Sequence, residues 1–338
     1  MSPRRTALAL LLLVAGARCA LAAPTFDEIM GNFAFAPGDV ERVRRGELVE
    51  TAIAGTSDRE LAVGIAFLVH APVPQLVHYF EIGAGFHNDP QVEAAIEIRG
   101  DGTPNDFTHI LLEPGGEREA HRYLTAAPGD VLNLDADEIA AFQKIAGSEH
   151  AGRVEVQDGI RTLLLSRYQA YRTRGLAGVT PYARESGKET NPADELRRMT
   201  EEATVVKKYA PAFHALLMSY PQDKPPDLRE NFFCIRYAMS GRPNFTLRHR
   251  MAMPVDQGYV VADREFYATH DFNDMQAIAG LFPTSEGTVV VYIGRSTTDQ
   301  VGGFAASAKK ALARSLMAKE LASVFEKGRT EVGRKPGR

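Results

Sequence analysis

His249 is the histidine whose surroundings most suggest chemistry. The stretch from 245 to 253 alternates, so that His249 shares one row with apolar residues while the intervening positions are mostly polar. The apolar row contains Phe245, Leu247, Met251 and Met253, and the polar row contains Thr246, Arg248 and Arg250. Most histidines in such a row are buried and hydrogen bonded, but in a hollow fold the same row would line the cavity. The imidazole could then orient a ligand or act as a general base.

A second cluster combines phenol and guanidinium groups near the end of a predicted helix. Tyr168, Tyr171 and Arg172 lie within one turn's reach of each other, Arg174 is next to the helix end, and Tyr182 follows. Basic side chains in a last turn complement the helix dipole. The same groups could instead bind an anionic head group or a carboxylate.

Polar side chains also gather where a predicted strand ends, at Tyr267, His270, Asp271 and Asn273. Asp and Asn commonly form turns or caps at such junctions. His270 paired with Asp271 or with Asp299 could instead serve as an acid–base pair. The sequence places no candidate nucleophile beside this pair.

Asp299 belongs to the segment 295–300, which precedes a long predicted helix. Thr298 or Asp299 could cap that helix by accepting hydrogen bonds from its free backbone N–H groups. The alternative is an entrance loop in which the N–H groups of the helix meet an anion.

Several common catalytic and nucleotide-binding motifs are missing from the sequence. It has no G-x-G-x-x-G, no P-loop and no G-x-S-x-G elbow. Its nine histidines form no H-x-x-x-H or H-E-x-x-H pair, so no helix-borne zinc site is expected. We therefore predict no cofactor and no metal ion, while a metal site assembled from distant residues is not tested by spacing.

The first residues have the pattern of a secretory signal peptide. Arg4 and Arg5 form a positive region, an apolar run covers 7–17, and Ala20-Leu21-Ala22 fits a cleavage site. We expect 1–22 to be removed and the protein to be periplasmic or secreted. The paired arginines are also compatible with twin-arginine export, and the sequence leaves the route open.

Charge and cysteine content exclude two classes of protein. The formal net charge of −4 becomes −7 without the leader, because three arginines and no acidic residue are removed. An acidic protein is not expected to be a general nucleic-acid binder. Cys234 is the cysteine left after cleavage, so no intramolecular disulfide is possible, and its apolar neighbours predict a buried thiol.

The chain changes from strand-like to helix-like patterns and back. After 1–22, we expect a β-rich part at 23–130, a helical insertion at 131–221, strands with a long helix at 228–327, and a disordered basic tail at 328–338. Predicted strands cover 61–70, 92–99, 107–112, 232–239, 245–253, 259–269 and 288–295. Asp135, with Glu138 three residues later, predicts a helix start, and Gly175 predicts a helix end.

The order of elements resembles that of the START-like helix-grip (SRPBCC) superfamily. The resemblance covers about 60–130 and 228–327, and it includes the short Pro-led helix that begins Ala71-Pro72-Val73-Pro74. It implies an α+β fold in which a curved antiparallel sheet grips the long C-terminal helix and encloses a cavity for an apolar ligand. The large helical insertion departs from that pattern. Segments 267–270 and 298–304 also resemble uncharacterised secreted bacterial proteins, a likeness that implies no activity.

From these observations we expect a binding protein for an apolar or amphipathic small molecule, with lipid carriage as one form of that function. The candidate ligand-binding residues are Tyr171, Arg174, Tyr182, His249, Tyr267, His270 and Asp299. The alternatives are a cavity enzyme, a hydrolase or cyclase with His249 or His270 as acid or base, and a module of an envelope assembly that uses the helical insertion for contact. An α+β protein with a solid core is the rival to a hollow fold. Transient membrane contact is compatible with the sequence, while ligand identity, protein partners and oligomeric state stay open.

Overall fold

The computed structural model describes residues 26–33, 35–113, 115–256, 258–301 and 306–333, without the side chains of Ile29 and Ala306. The predicted signal peptide and Phe304 lie outside these residues. Within them, the main feature is an eight-stranded antiparallel sheet in the order β1-β2-β10-β9-β8-β7-β6-β3. Its strands are β1 Val49–Ala52, β2 Glu60–Val69, β3 Val92–Ile98, β6 Arg229–Met239, β7 Arg242–Val255, β8 Gly258–Ala268, β9 Asp274–Thr284 and β10 Gly287–Thr297. A separate short hairpin pairs β4 Tyr182–Ala183 with β5 Glu189–Thr190.

Strands β6 to β10 follow one another as a meander, and local backbone chemistry explains part of it. Ser240 and Gly241, which join β6 to β7, both have positive φ, at 52° and 71°. Two such residues are what a two-residue type I′ hairpin requires. The last strand of the meander, β10, then pairs along its length with β2, from Thr288–Val69 to Thr297–Glu60. The sheet therefore joins the two β-rich parts of the chain that the helical segment separates.

Ten helices accompany the sheet in the described parts of the chain. They are α1 Phe26–Asn32, α2 Pro37–Arg44, α3 Val73–Glu81, α4 Gly116–Leu124, α5 Ala136–Ala146, α6 Arg153–Arg174, α7 Pro192–Glu201, α8 Thr204–Tyr209, α9 Pro211–Ser219 and α10 Ala306–Gly333. None of the helices in these parts is both long enough and apolar enough to cross a membrane.

The helices cover both faces of the sheet. One face carries Met251, Val260 and Ala262 and packs against α4 to α9, so we call it the insertion face. Helices α1 and α2 cover the same face near β2, where they pack on Ala66 and Leu68. Side chains alternate along a strand, so Phe67, Val261 and Ala279 point the other way. They pack with α3 and α10 on what we call the α10 face.

The predicted start and end of helices in the insertion are confirmed. Asp135 Oδ1 accepts from the backbone N–H of Glu138 at 2.8 Å, and Glu138 Oε2 accepts from the backbone N–H of Asp135 at 2.9 Å. Helix α6 ends at Arg174, and Gly175 follows with a φ of 58°. The same Glu138 carboxylate also accepts two hydrogen bonds from the buried Arg167. The capping box thus fixes the position of α5 against α6.

The predicted strand over 107–112 is not formed. Phe107 ends a 3-10 turn, Pro104–Phe107, and the following residues are turn and irregular. Phe107, Ile110 and Leu112 are buried in the core under the helical layer. Arg161 of α6 donates to the carbonyls of Phe107, Thr108 and Ile110 at 3.1 to 3.3 Å. Because one guanidinium satisfies these carbonyls, the segment needs no partner strand.

One strand, two boundaries and part of the packing of the long helix also differ from the predictions. Strand β9 was not predicted, and the helices of the insertion begin at Gly116, earlier than 131. Helix α10 continues to Gly333, so the expected disordered tail is wrong for 328–333, and 334–338 lie outside the described residues. Leu312 and Leu316, expected on its packing stripe, are 63% and 52% exposed. The broader prediction of an α+β fold with a large antiparallel sheet and a long C-terminal helix is confirmed.

Candidate functional site

A cavity of about 220 Å³ lies on the insertion face and is partly open to solvent. Strands β8, β9 and β10 form its floor, while α1, the segment after β1, the end of α7 and α8 form its walls. Apolar side chains dominate the lining, and they include Phe33, Ile53, Val206, Ile278, Phe282 and Ile293. This combination of an apolar lining with few polar groups is typical of small-molecule sites.

The floor of the cavity is open because the central strands carry a glycine and only moderately sized side chains there. Gly280 lines the cavity between Val260 of β8 and Val291 of β10. A Cβ atom at Gly280 would lie 2.6 Å from the Phe282 ring, so the glycine lets that ring lie along the strand. Ile278 and Gly280 stay partly exposed in the middle of a sheet that helices cover elsewhere.

Arg295 is the basic group in the cavity lining. Its Nη1 donates to the carboxylate of Glu60 and, at 3.3 Å, to the carbonyl of Ala54. Glu60 is 1% exposed and also accepts from the backbone N–H of Thr56 at 2.8 Å. Glu60 thus holds one edge of the Arg295 guanidinium in place. Arg295, but not Glu60, lines the cavity.

A second guanidinium lies behind the cavity wall. Arg264 is fully buried and donates to Gln276 Oε1 from Nε and Nη2, at 2.9 and 2.7 Å. Nη2 also donates to the carbonyl of Leu217 at 2.9 Å and to Thr200 Oγ1 at 3.2 Å. Its Nη1 has no hydrogen-bond partner, and no carboxylate of the described chain pairs with it. A positive charge without a counterion therefore lies directly behind Gln276, which lines the cavity.

His249 is brought together with Tyr171, but neither residue lines the cavity. The His249 ring is fully buried between Phe232 and Tyr220, at centroid distances of 4.2 and 4.5 Å. Burial lowers its pKa to about 4, against the opposing effect of Glu230. The neutral ring therefore donates from Nε2 to Glu230 at 3.1 Å and accepts from Tyr171 at Nδ1, also at 3.1 Å. This arrangement is that of a buried histidine with both ring nitrogens satisfied.

Glu230, at the outer end of the hydrogen-bonded series Tyr171–His249–Glu230, is charged. Burial alone would raise its pKa, but hydrogen bonds from His249 and Lys224 lower the pKa of Glu230 to about 2. The His249 ring thus connects a partly exposed carboxylate to the buried Tyr171 hydroxyl. It has no accessible edge at which a substrate could meet it.

Tyr182 and Tyr267 both pack against the guanidinium of Arg167, which is paired with Glu138, and their rings also contact each other. The Arg167 guanidinium carbon lies 4.4 Å from the Tyr267 ring centroid and 5.4 Å from that of Tyr182. The Tyr182 hydroxyl donates to the carbonyl of Asn273 at 2.9 Å, whereas the Tyr267 hydroxyl is buried without a partner. Both phenols belong to the interior under the insertion. Arg174, the basic candidate of the same group, is exposed at the end of α6.

His270 is hydrogen bonded to a neighbour in its own loop and to β7. Its Nδ1 lies 2.7 Å from Asp271 Oδ2 and its Nε2 lies 3.0 Å from the carbonyl of Pro243. Asp299 instead accepts from Arg59 and Arg184, both at 2.9 Å. Asp299 therefore anchors the segment before α10 to its neighbours and is not part of a pair with His270.

None of the seven candidates predicted from the sequence lines the cavity. Sequence reasoning included Arg295 in the segment 295–300 but assigned it no role, and it missed Gln276 and Glu60. The pairing of Arg295 with Glu60 joins residues 235 positions apart, which spacing does not reveal. An available signal was Gly280, since a glycine inside a strand often marks a place where something approaches the backbone closely.

The described residues contain no cluster of three or more His, Cys, Asp or Glu side chains that could hold a metal ion. Cys234 is a buried free thiol, as predicted, and burial raises its pKa. The chain matches no family model, no curated protein and no solved structure.

Proposed function

We propose that the protein, after export to the periplasm or the outside of the cell, binds a small molecule with an apolar body in the cavity over β8, β9 and β10. The observation that carries the proposal is the cavity itself, a partly open and mainly apolar space of about 220 Å³ with a basic group at one end. The ligand class is that expected from the sequence. The position of the site differs from the expectation. The resemblance implied a cavity between the sheet and the C-terminal helix, whereas this cavity lies on the face of the sheet opposite α10.

The volume limits the size of the ligand. An engineered cavity of about 150 Å³ in another protein binds benzene, so by proportion 220 Å³ accommodates about nine non-hydrogen atoms. That is one substituted ring or one medium-length acyl chain. In this proposal a lipid would insert the end of a single chain, and two-chain lipids would not be enclosed.

The affinity expected from such burial is moderate. At about 0.8 kcal/mol per buried methylene, eight methylenes would supply about 6 kcal/mol. This free energy corresponds to a Kd of tens of micromolar. Tighter binding would require the polar groups at the end of the cavity.

We retain in the proposal the START-like arrangement of a sheet that curves around its C-terminal helix. Its support is the packing of Phe325 of α10 on the sheet, with ring centroids 5.1 Å from Phe67 and 4.9 Å from Tyr292. A catalytic function finds less support than binding. His249 and His270 are both buried, and the ring nitrogens of each already lie within hydrogen-bond distance of protein groups.

The proposal is tested by titrating the mature protein with neutral apolar probes, straight-chain alcohols of increasing length and alkylbenzenes, in a calorimeter. We expect 1-octanol to bind with a Kd of tens of micromolar. Ile278→Trp, which fills the cavity, should weaken binding at least tenfold. Val154→Trp makes a comparable change at a position that is 60% exposed and outside the cavity, and it should bind as the wild type does. Absence of binding across the whole probe series would overturn the proposal.

A further inference from the structure

We infer that the ligand of this cavity carries a carboxylate, or an equally small anionic group, that pairs with Arg295. The inference rests on the proposed function and specifies its ligand class. It depends on which N–H groups at the polar end of the cavity are still available, and on the balance of charge around them.

Arg295 has one edge available for a ligand. Its Nη1 is occupied by Glu60 and the Ala54 carbonyl, but Nε and Nη2 have no acceptor among the described residues. Neither nitrogen is among the fully buried atoms that lack a partner, and the side chain is 12% exposed. The free Nε–Nη2 edge therefore faces accessible space, and Arg295 lines the cavity. Such an edge matches a carboxylate, which can accept both hydrogen bonds at once.

The neighbouring amide does not compete for this role. Gln276 is the cross-strand partner of Arg295, and it also lines the cavity. Its Oε1 already accepts from Arg264, and its Nε2 donates to Thr200 Oγ1 at 3.0 Å. Gln276 thus has little hydrogen-bonding capacity left for a ligand, whereas Arg295 has two unused donors.

The inner end of the cavity has an excess of positive charge. Glu60 compensates one guanidinium, that of Arg295, while Arg264 has no acidic partner in the described chain. Asp274, the next residue on this face of β9, does not change the balance at neutral pH, because burial raises its pKa to about 8. Glu202 also lines the cavity, but it is exposed to solvent, where its charge is screened. An anionic group at Arg295 would relieve this imbalance.

The apolar lining continues directly from Arg295 along the strand. Ile293 is the next residue of β10 on the same face, with Ile278 beside it on β9, and Gly280 lies one step further. From Arg295 to the level of Gly280 is four residues of strand, or about 13 Å. A ligand with its carboxylate at Arg295 would therefore place its apolar body on these isoleucines.

The test compares octanoate, 1-octanol and octylamine, which share a chain and differ in head group, by calorimetry at pH 7.5 and low salt. We expect the wild type to bind octanoate at least tenfold more tightly than 1-octanol, and octylamine more weakly than either. Arg295→Met should reduce the octanoate-to-octanol preference to about one. Arg174→Met, the same change at the exposed arginine of α6, should leave the preference intact.

Arg295→Met leaves the buried Glu60 without its cation, so that variant can fail to fold. The double variant Glu60→Gln/Arg295→Met removes both charges and should fold, again with no preference for octanoate. Equal binding of octanoate and octanol to the wild type, or loss of the preference in Arg174→Met alone, would overturn the inference and leave the proposed function intact. If none of the three probes binds, the proposed function fails with it.

Discussion

Arg264 has an unusual environment for a charged residue. Its side chain is fully buried, it contacts amide, hydroxyl and carbonyl oxygens, and its Nη1 has no partner. A buried charge without a counterion costs several kcal/mol in folding free energy. Charged residues in such unfavourable environments cluster at functional sites. The position of Arg264 behind Gln276 is consistent with a ligand that is negatively charged.

His249 predicts a specific pH dependence of stability. Its pKa falls from 6.5 in the unfolded chain to about 4 in the folded protein, because burial disfavours the imidazolium. The unfolded state therefore takes up the proton first, and the stability contributed above pH 6.5 is lost as the pH falls towards 4. The difference in pKa corresponds to about 3 kcal/mol.

This loss is measured by urea unfolding between pH 7.5 and 4 in the wild type and in His249→Gln, which cannot titrate. We expect the stability advantage of the wild type over the variant to shrink by up to about 3 kcal/mol across this range. An advantage that stays constant with pH would show that the folded protein tolerates the imidazolium.

The sequence predicted the apolar environment of His249, but it also suggested a contact with a ligand, and His249 does not line the cavity. The alternation from 245 to 253 placed it among apolar residues, and the structure buries it there with Glu230 and Tyr171. Neither partner could be identified from the sequence, because Glu230 lies 19 positions away on β6 and Tyr171 lies 78 positions away on α6. Whether the apolar row of β7 would line a cavity or a solid core depended on the helices packed over it, which residue spacing does not specify.

At the level of elements, the strands that alternate or are uniformly apolar were predictable, and β9 was not. Its residues at 276, 278, 280 and 282 face the insertion helices and the cavity, while those at 277, 279 and 281 face the opposite side of the sheet. Helices cover both faces, so neither set is consistently polar and no alternation results. Gly280 and Pro283 further weaken the strand pattern.

Helix α10 is attached to the sheet by a few side chains, and this makes its contribution testable. Phe325 is partly buried and stacks on Phe67, whereas Leu312 on the same helix is 63% exposed. Phe325→Ala should lower the free energy of unfolding by about 2 kcal/mol, because it removes a partly buried ring. Leu312→Ala should change it by less than about 0.5 kcal/mol. Equal effects in urea unfolding would mean that the ring stack does not hold the helix.

At the level of the whole molecule, one sheet unites residues from both ends of the chain and presents two differently covered faces. The sequence predicted a β-rich part, a helical insertion and a second β-rich part. It did not predict that the cavity would lie on the insertion face. Three segments that are distant in sequence, near residues 33, 53 and 206, meet over β8, β9 and β10 to form the cavity. Their meeting depends on how α1 and α8 pack beside each other on the insertion face, and no local pattern encodes that.

The pairing of β2 with β10 also predicts the order in which the protein folds. Strands β6 to β9 are joined to their neighbours by short connections, but Val69 and Thr288, the β2–β10 partners closest in sequence, are 219 positions apart. Contacts of such separation form late, because a long loop must close first. In refolding followed by pulsed hydrogen exchange, amides of β7 and β8 should become protected before those of β2. Protection of β2 in the earliest pulse, through β1 alone, would contradict this order.

The same pairing has a consequence for the synthesis of the protein. Strand β2 reads Glu-Leu-Ala-Val-Gly-Ile-Ala-Phe-Leu-Val, and all ten of its residues are buried in the folded protein. A nascent chain releases this segment long before β10 has been translated. Until then it is an unprotected apolar strand of the kind that starts aggregation. The yield of the protein should therefore depend on chaperones that hold unfolded chains, and refolding from urea should succeed best in dilute solution.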